Sequence, residues 1–186
     1  MQFARNVLIS SIIIFLFTIL ACSPSGNNKQ SSSPIDTKYE NFTTVKLTPK
    51  LYVSAFSERL QNGEGRSEFC AYRTDASETK QVFDKIFDSA YNARIEVRYN
   101  MQYLGQPIVL LRVNYGAIAE TLEVFGIRND ELIHLQSLNA GGFDWFYQEA
   151  TGKTLLVDVP GSPADQKIYY SWNGVLFYQV NPQASK

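Results

Sequence analysis

A strict alternation of apolar and polar residues begins at Arg94 and continues to Tyr103. The apolar positions are Ile95, Val97, Tyr99, Met101 and Tyr103, and the polar positions between them are Arg94, Glu96, Arg98, Asn100 and Gln102. Because side chains on a strand point alternately to opposite faces, this pattern predicts a long β-strand with one buried and one solvated face. A strand of this kind requires antiparallel neighbours, and the remaining sequence must supply them.

Short apolar segments separated by turn residues follow this strand to the C-terminus. Asn129-Asp130 and Asn173-Gly174 each connect two such segments and are typical of tight hairpins. The two hairpins have similar sequences and lie about 44 residues apart, which is compatible either with repeated blades or with two hairpins of one meander. The pattern predicts a twisted antiparallel sheet of about seven or eight strands.

Two earlier segments have helical spacing instead. Thr48-Pro49 can cap and start a helix, and the apolar residues after it predict a helix over residues 49–61. A strand over residues 50–56 is the alternative for this segment. A second helix is predicted over residues 76–91, after the capping-box pattern Asp75-x-x-Glu78. Its apolar stripe consists of Val82, Phe83, Ile86, Phe87, Ala90 and Tyr91.

These elements together predict an α+β fold. The antiparallel sheet is expected to carry two N-terminal helices, of which at least one packs on the sheet. Residues 41–182 are long enough to form a single globular domain with its own core.

The N-terminal segment has the pattern of an export signal. Arg5 precedes an apolar run over residues 7–20, which is shorter than the roughly 20 residues needed to span a bilayer. The run ends in Ile19-Leu20-Ala21-Cys22, which resembles the lipobox of bacterial lipoproteins. The resemblance implies that residues 1–21 are removed and that the Cys22 thiol carries lipid. Ser23, rather than Asp, follows the cysteine, which implies the inner leaflet of the outer membrane, facing the periplasm.

The segment after the cysteine is polar and rich in Ser, Pro and Asn. Residues 22–40 are therefore expected to be the lipidated cysteine and a flexible tether. The polar stretch over residues 23–38, about 16 residues long, reaches about 20–24 Å as a random coil. The expected partner of this part of the chain is the membrane, through the lipid on Cys22.

Charge and motif content narrow the possible functions. Lys and Arg total 17 and Asp and Glu total 18, without a basic stripe, which disfavours nucleic acid as a partner. His134 is interpreted as a bystander on a wet strand face, and Cys70 as a buried, inert thiol. The sequence contains no nucleophile elbow and no phosphate-binding glycine loop, so we predict no catalytic residues, no metal site and no cofactor.

Two surfaces are better candidates for binding. Phe143, Trp145, Phe146 and Tyr147 follow a glycine pair, and aromatic anchors of this kind are typical of interface hot spots. In a strand, Phe143, Trp145 and Tyr147 share one side and Phe146 takes the other; a strand buried on both sides is the alternative interpretation. The second surface is the polar face of the long strand, with Arg94 and Arg98, which could pair with a partner or only keep the strand soluble.

The sequence therefore predicts a membrane-anchored, non-enzymatic binding domain for a protein or envelope component, similar in role to an inhibitor or immunity protein. The alternative is a structural accessory subunit of an envelope assembly or secretion machine. A hydrolase that uses paired carboxylates is the third hypothesis, because several acidic residues lie in the last third of the chain.

Overall fold

The computed structural model describes residues 39–76, 78–160 and 166–181. Every regular element in these ranges is a β-strand, so the predicted α+β class is wrong and the described chain is all-β. The signal segment, Cys22 and most of the predicted tether lie outside the described residues.

The described ranges contain twelve strands in three antiparallel sheets, not the predicted one sheet of seven or eight strands, and each sheet is a meander of four strands in chain order. The N-terminal sheet contains β1 (Tyr39–Lys46), β2 (Leu51–Arg59), β3 (Gly65–Asp75) and β4 (Glu78–Asp88). The middle sheet contains β5 (Asn92–Tyr103), β6 (Gln106–Asn114), β7 (Glu120–Arg128) and β8 (Glu131–Ala140). The C-terminal sheet contains β9 (Phe143–Gln148), β10 (Lys153–Asp158), β11 (Ile168–Trp172) and β12 (Phe177–Val180).

The middle sheet is covered on both faces. Val109, Leu111 and Phe125 pack with side chains of the N-terminal sheet, while Leu110 and Val124 pack with side chains of the C-terminal sheet. Alternation along β6 and β7 therefore sends apolar side chains in both directions. The consequence is two separate hydrophobic cores, one on each side of the middle sheet.

The predicted helix over residues 76–91 is wrong because its apolar stripe belongs to the edge strand β4. Phe83 and Phe87 point into the core, while Val82 and Ile86 are 39% and 43% exposed. Lys85 lies between the two phenylalanines on the inward row and binds a buried carboxylate. A charged residue on the buried face concealed the period of two and left an apparent helical spacing.

The predicted helix over residues 49–61 is also wrong, and the alternative strand is close to the observed β2. The side-chain oxygen of Thr48 accepts hydrogen bonds from the backbone N–H groups of Lys50 and Leu51, as a helix cap would. These bonds close the turn between β1 and β2 instead, because the following residues pair on both sides with β1 and β3. The Asp75–Glu78 pair likewise closes the β3–β4 hairpin.

The hairpin at Asn129-Asp130 is confirmed. Both residues have positive φ, 56° and 57°, and they join β7 to β8. Asn173-Gly174 joins β11 to β12, with the Asn173 side chain accepting from two turn N–H groups. The two similar hairpins are the third and fourth strands of consecutive sheets, which places the sequence similarity in equivalent positions of two meanders.

Candidate functional site

The two stretches singled out in the sequence meet where the middle sheet faces the C-terminal sheet. The guanidinium carbon of Arg98 lies 3.8 Å from the ring centroid of Trp145, and the Trp145 indole N–H donates to Glu96 Oε1 at 3.0 Å. Arg98 also forms an ion pair with Glu96. We call these three residues the Trp145 cluster. The polar face of β5 is therefore not an open surface, because β9 lies against it.

The Trp145 cluster is partly accessible to solvent, and one of its hydrogen-bond donors has no acceptor in the described part of the chain. The side chains of Arg98 and Glu96 are 25% and 27% exposed. The Arg98 Nε atom is buried and has no hydrogen-bond partner in the described part of the chain. An arginine stacked on an indole keeps its planar edge available for hydrogen bonds to an acceptor. The arrangement combines an aromatic anchor with a partly exposed cation.

Two predicted residues form the exposed rim of this cluster. Tyr147 follows Trp145 on the same face of β9 and is 60% exposed. Arg94 precedes Glu96 on the same face of β5 and is exposed. The rim therefore adds a second aromatic ring and a second cation to the Trp145 cluster.

The other two predicted aromatics do not join the cluster. Phe143 is buried in the core between the middle and C-terminal sheets. Phe146 lies on the opposite face of β9, 42% exposed, with its ring edge-to-face against Tyr169 at 5.6 Å between centroids.

A buried ion pair that the sequence analysis missed fixes the start of β9. Arg112 Nε donates to Glu120 Oε1 at 2.7 Å, and Arg112 also donates to the Phe143 carbonyl. Glu120 Oε2 accepts from the Phe143 backbone N–H at 2.8 Å. Burial alone would lower the pKa of Arg112, but the hydrogen bond and negative charge of Glu120 raise it above its ordinary value. A single arginine inside the apolar strand at residues 108–114 was the signal available in the sequence.

A second polar cluster lies on the opposite face of the middle sheet, around Glu123, which is 3% exposed. The carboxylate binds Lys85 Nζ at 2.7 Å, His134 Nε2 at 2.7 Å and the Ser137 hydroxyl at 2.6 Å. Burial raises the pKa of Glu123, but the hydrogen bonds from Lys85 and Ser137 and the Lys85 charge lower it overall. His134 is therefore not a bystander, since it contacts a buried acid.

The geometry of this Ser-His-Glu group is not that of a nucleophilic triad. In a triad the acid orients one ring nitrogen while the other nitrogen takes the proton of the nucleophile. Here the same nitrogen, Nε2, contacts both Glu123 and Ser137, and the hydroxyl donates to the carboxylate. The group acts as an electrostatic joint between β4, β7 and β8.

No metal site is found in the described ranges, where no three His, Cys, Asp or Glu side chains are grouped to hold an ion. Within residues 39–76, 78–160 and 166–181, no helix has the length and apolar character needed to cross a membrane. Cys70 is buried, and its thiol lies 3.2 Å from Glu68 Oε1.

A shallow cavity of about 380 Å³ opens at the turn end of the first two sheets. The β1–β2 turn, the start of β6 and the β7–β8 turn line it, with Leu47, Pro49 and Ile127 as apolar walls and Gln106 and Asn129 as polar ones. Thr48 donates to Asp130 at 2.7 Å and joins two of these turns.

No protein-family model matches the chain, and neither a curated protein nor a solved structure gives a match.

Proposed function

We propose that this chain is a bacterial lipoprotein whose globular part is a non-enzymatic binding domain for a protein or envelope component. The observation that supports the binding role is the Trp145 cluster with its rim of Tyr147 and Arg94. Trp, Tyr and Arg are the residues most enriched among interface hot spots. Trp145 and Arg98 stack on each other, and Tyr147 and Arg94 are exposed neighbours on the same faces of β9 and β5.

The anchoring part of the proposal rests on the lipobox resemblance at Cys22. A lipid anchor and a polar tether hold a domain close to a membrane while leaving its surface free to meet a partner. We expect radioactive palmitate to label the wild-type chain, and we expect the Cys22→Ala variant to lose the label. A Cys22→Ala variant that still carries label would contradict the anchor.

The binding part is tested by site-specific photo-crosslinking in intact cell envelopes. A photoreactive residue replaces Tyr147 in one variant and Ile118 in a matched control, because Ile118 is similarly exposed, 68% against 60%, and lies in the β6–β7 loop rather than on β9. We expect an adduct of one defined mass at position 147 that is absent at position 118 and reduced by Arg94→Ala. Equal adducts at both positions, or none at position 147, would refute this site.

A structural accessory subunit is the second candidate. Exposed rings on the outward face of the C-terminal sheet favour it, since Phe146 and Tyr178 are each 42% exposed there. If this role is correct, deletion of the gene disrupts an envelope assembly, and Tyr178→Ser with Phe146→Ser reproduces the defect while Tyr147→Ala does not.

A further inference from the structure

The tip of the β5–β6 hairpin combines backbone strain with an exposed apolar side chain. Leu104 has a φ of 50°, and its side chain is 67% exposed. Gly, Asn and Asp adopt this left-handed conformation more easily than leucine, which has no local hydrogen bond to offer. A leucine at this position contributes neither to the turn nor to the core, so its side chain is available for another contact.

The hairpin tip is held firmly in place. The ring of Tyr103 lies directly over Gly126, where a side chain on the glycine would overlap it. Trp172 donates its indole N–H to the Gln102 carbonyl at 3.0 Å, which brings the β11–β12 turn beside the tip. That turn carries another exposed apolar side chain, Val175, which is 52% exposed.

The cavity described above lies next to this protruding leucine. Gln106, two residues after Leu104, lines the cavity, and Leu47, Pro49 and Ile127 form its apolar walls. The same end of the molecule therefore carries a projecting apolar side chain and an opening that can receive one. A two-fold axis in the contact plane would bring each leucine opposite the cavity of the other copy.

We propose that a second copy of this chain docks at this turn end, by reciprocal insertion of Leu104 into the cavity of its partner. Charged groups beside the cavity pair within the chain, Lys50 and Arg73 with Asp75 and Arg73 with Glu131, so this end has little net charge to repel a second copy. The basic groups are Lys50, Arg73 and Arg128, and the acidic groups are Asp75, Asp130 and Glu131.

The described chain begins far from this end. β1 pairs with β2 from Tyr39 opposite Glu58 to Lys46 opposite Tyr52, so the described chain begins at the far end of β1 from the β1–β2 turn. Eight residues of strand separate the two ends by about 26 Å. This surface differs from the Trp145 cluster, so the self-contact does not depend on the function proposed above.

The test measures self-association of the full chain in detergent by sedimentation velocity over a concentration series. Leu104→Asn removes the inserting side chain and places a residue that favours positive φ, so we expect an equal or higher melting temperature with a dissociation constant raised at least about tenfold. Ile118→Asn is the matched control, with the same chemical change at a side chain of the same exposure, and should associate like wild type.

Mixing two variants tests the reciprocal geometry. Gln106→Arg places a long charged side chain in the cavity and, like Leu104→Asn, should be monomeric alone. The Leu104→Asn copy retains an intact cavity and the Gln106→Arg copy retains its leucine, so the mixture should form mixed dimers. A wild-type chain that stays monomeric, a Leu104→Asn variant that associates as tightly as wild type, or a mixture without mixed dimers would overturn the proposal.

Discussion

The two faces of the middle sheet are joined to their neighbours in different ways. Toward the N-terminal sheet, fourteen buried apolar residues form the core, and the rings of Phe69, Phe83 and Phe125 pack within 6.0 Å of one another. Toward the C-terminal sheet, eight buried apolar residues form a smaller core. Polar contacts surround the smaller core, including the Arg112–Glu120 pair and the hydrogen bonds from Trp145 and Trp172.

The joint to the N-terminal sheet therefore mainly stabilises the fold, whereas the joint to the C-terminal sheet leaves polar and aromatic side chains exposed to solvent. Dense apolar packing on one face provides most of the stability, since burial of apolar area is the dominant favourable term in folding. The Glu123 group is the polar part of this larger joint, and the polar contacts of the smaller joint fix orientation and cost more to desolvate. The Trp145 cluster lies at this second joint, where side chains of both sheets remain reachable from solvent.

The largest expected effect is on the apolar joint. Phe125→Ala removes the ring at the centre of the three-ring group and should lower the free energy of unfolding by about 4 kcal/mol. Urea denaturation measures this change. Ile118→Ala, at an exposed loop position, should change stability by less than about 0.5 kcal/mol. A loss of less than about 1.5 kcal/mol for Phe125→Ala would show that this core is not the main source of stability.

The next largest effect is on the Arg112–Glu120 ion pair, between the middle and C-terminal sheets. Glu120→Ala leaves Arg112 and the Phe143 N–H without their acceptor and should destabilise the protein by about 3 kcal/mol. The matched control is Glu131→Ala, whose carboxylate is 57% exposed and pairs with Arg73 at the surface. The control should cost less than about 1 kcal/mol in the same assay. If the two variants lose the same stability, burial does not make the Arg112–Glu120 pair more important than a surface pair.

The Glu123 group should produce a pH-dependent effect. Its folded-state pKa lies below the ordinary value of 4.5, so the stability it contributes is present above that value and is lost as the pH falls through the folded-state pKa. Glu123→Gln should cost about 2 kcal/mol near neutral pH, and the difference from wild type should shrink at pH below 4.5. Thermal unfolding across this range measures it. If the stability difference between wild type and Glu123→Gln stays constant with pH, the charge of Glu123 does not stabilise the fold.

The smallest effect is on the Trp145 cluster itself. Trp145→Phe keeps an aromatic face under Arg98 but removes the N–H that binds Glu96, so the loss should be about 1 kcal/mol. Chemical denaturation measures it, with Tyr147→Phe as a control that removes an exposed hydroxyl and should be neutral. A much larger loss would place Trp145 among the core residues rather than at a surface site.

The sequence predicted the second half of the fold better than the first. In β5, period-two alternation was visible and holds as far as Arg98, but a bulge before Gln102 then turns Met101 toward the C-terminal sheet, whereas Ile95 packs toward the N-terminal one. The hairpin at Asn129-Asp130 was visible from residues that favour positive φ. In β2 and β4 the alternation of a strand was not visible in the sequence. Both faces of β2 are partly covered, and Lys85 interrupts the buried row of β4 because its partner, Glu123, lies 38 positions away in sequence. Local patterns cannot reveal such a partner.

The candidate site was predicted in parts but not as a whole. The sequence pattern identified these candidate binding residues, because Trp145 and Tyr147 follow a glycine pair and Arg94 and Arg98 lie on the polar face of an alternating strand. Their meeting depends on how the C-terminal sheet packs against the middle sheet, and that depends on Arg112 and Glu120. The sequence shows Arg112 only as a single charged residue in an apolar strand, and it does not show that Glu120 is its partner.

Native-state hydrogen exchange tests the contrast between the two joints most directly. The comparison uses inner strands of equal rank, β2 and β3 in the N-terminal sheet and β10 and β11 in the C-terminal sheet. Because fewer buried apolar contacts hold the C-terminal sheet, we predict that β10 and β11 exchange through a smaller opening free energy than β2 and β3. Equal protection of the four strands, or greater protection of β10 and β11, would contradict a stabilising joint on one face and a more open one on the other.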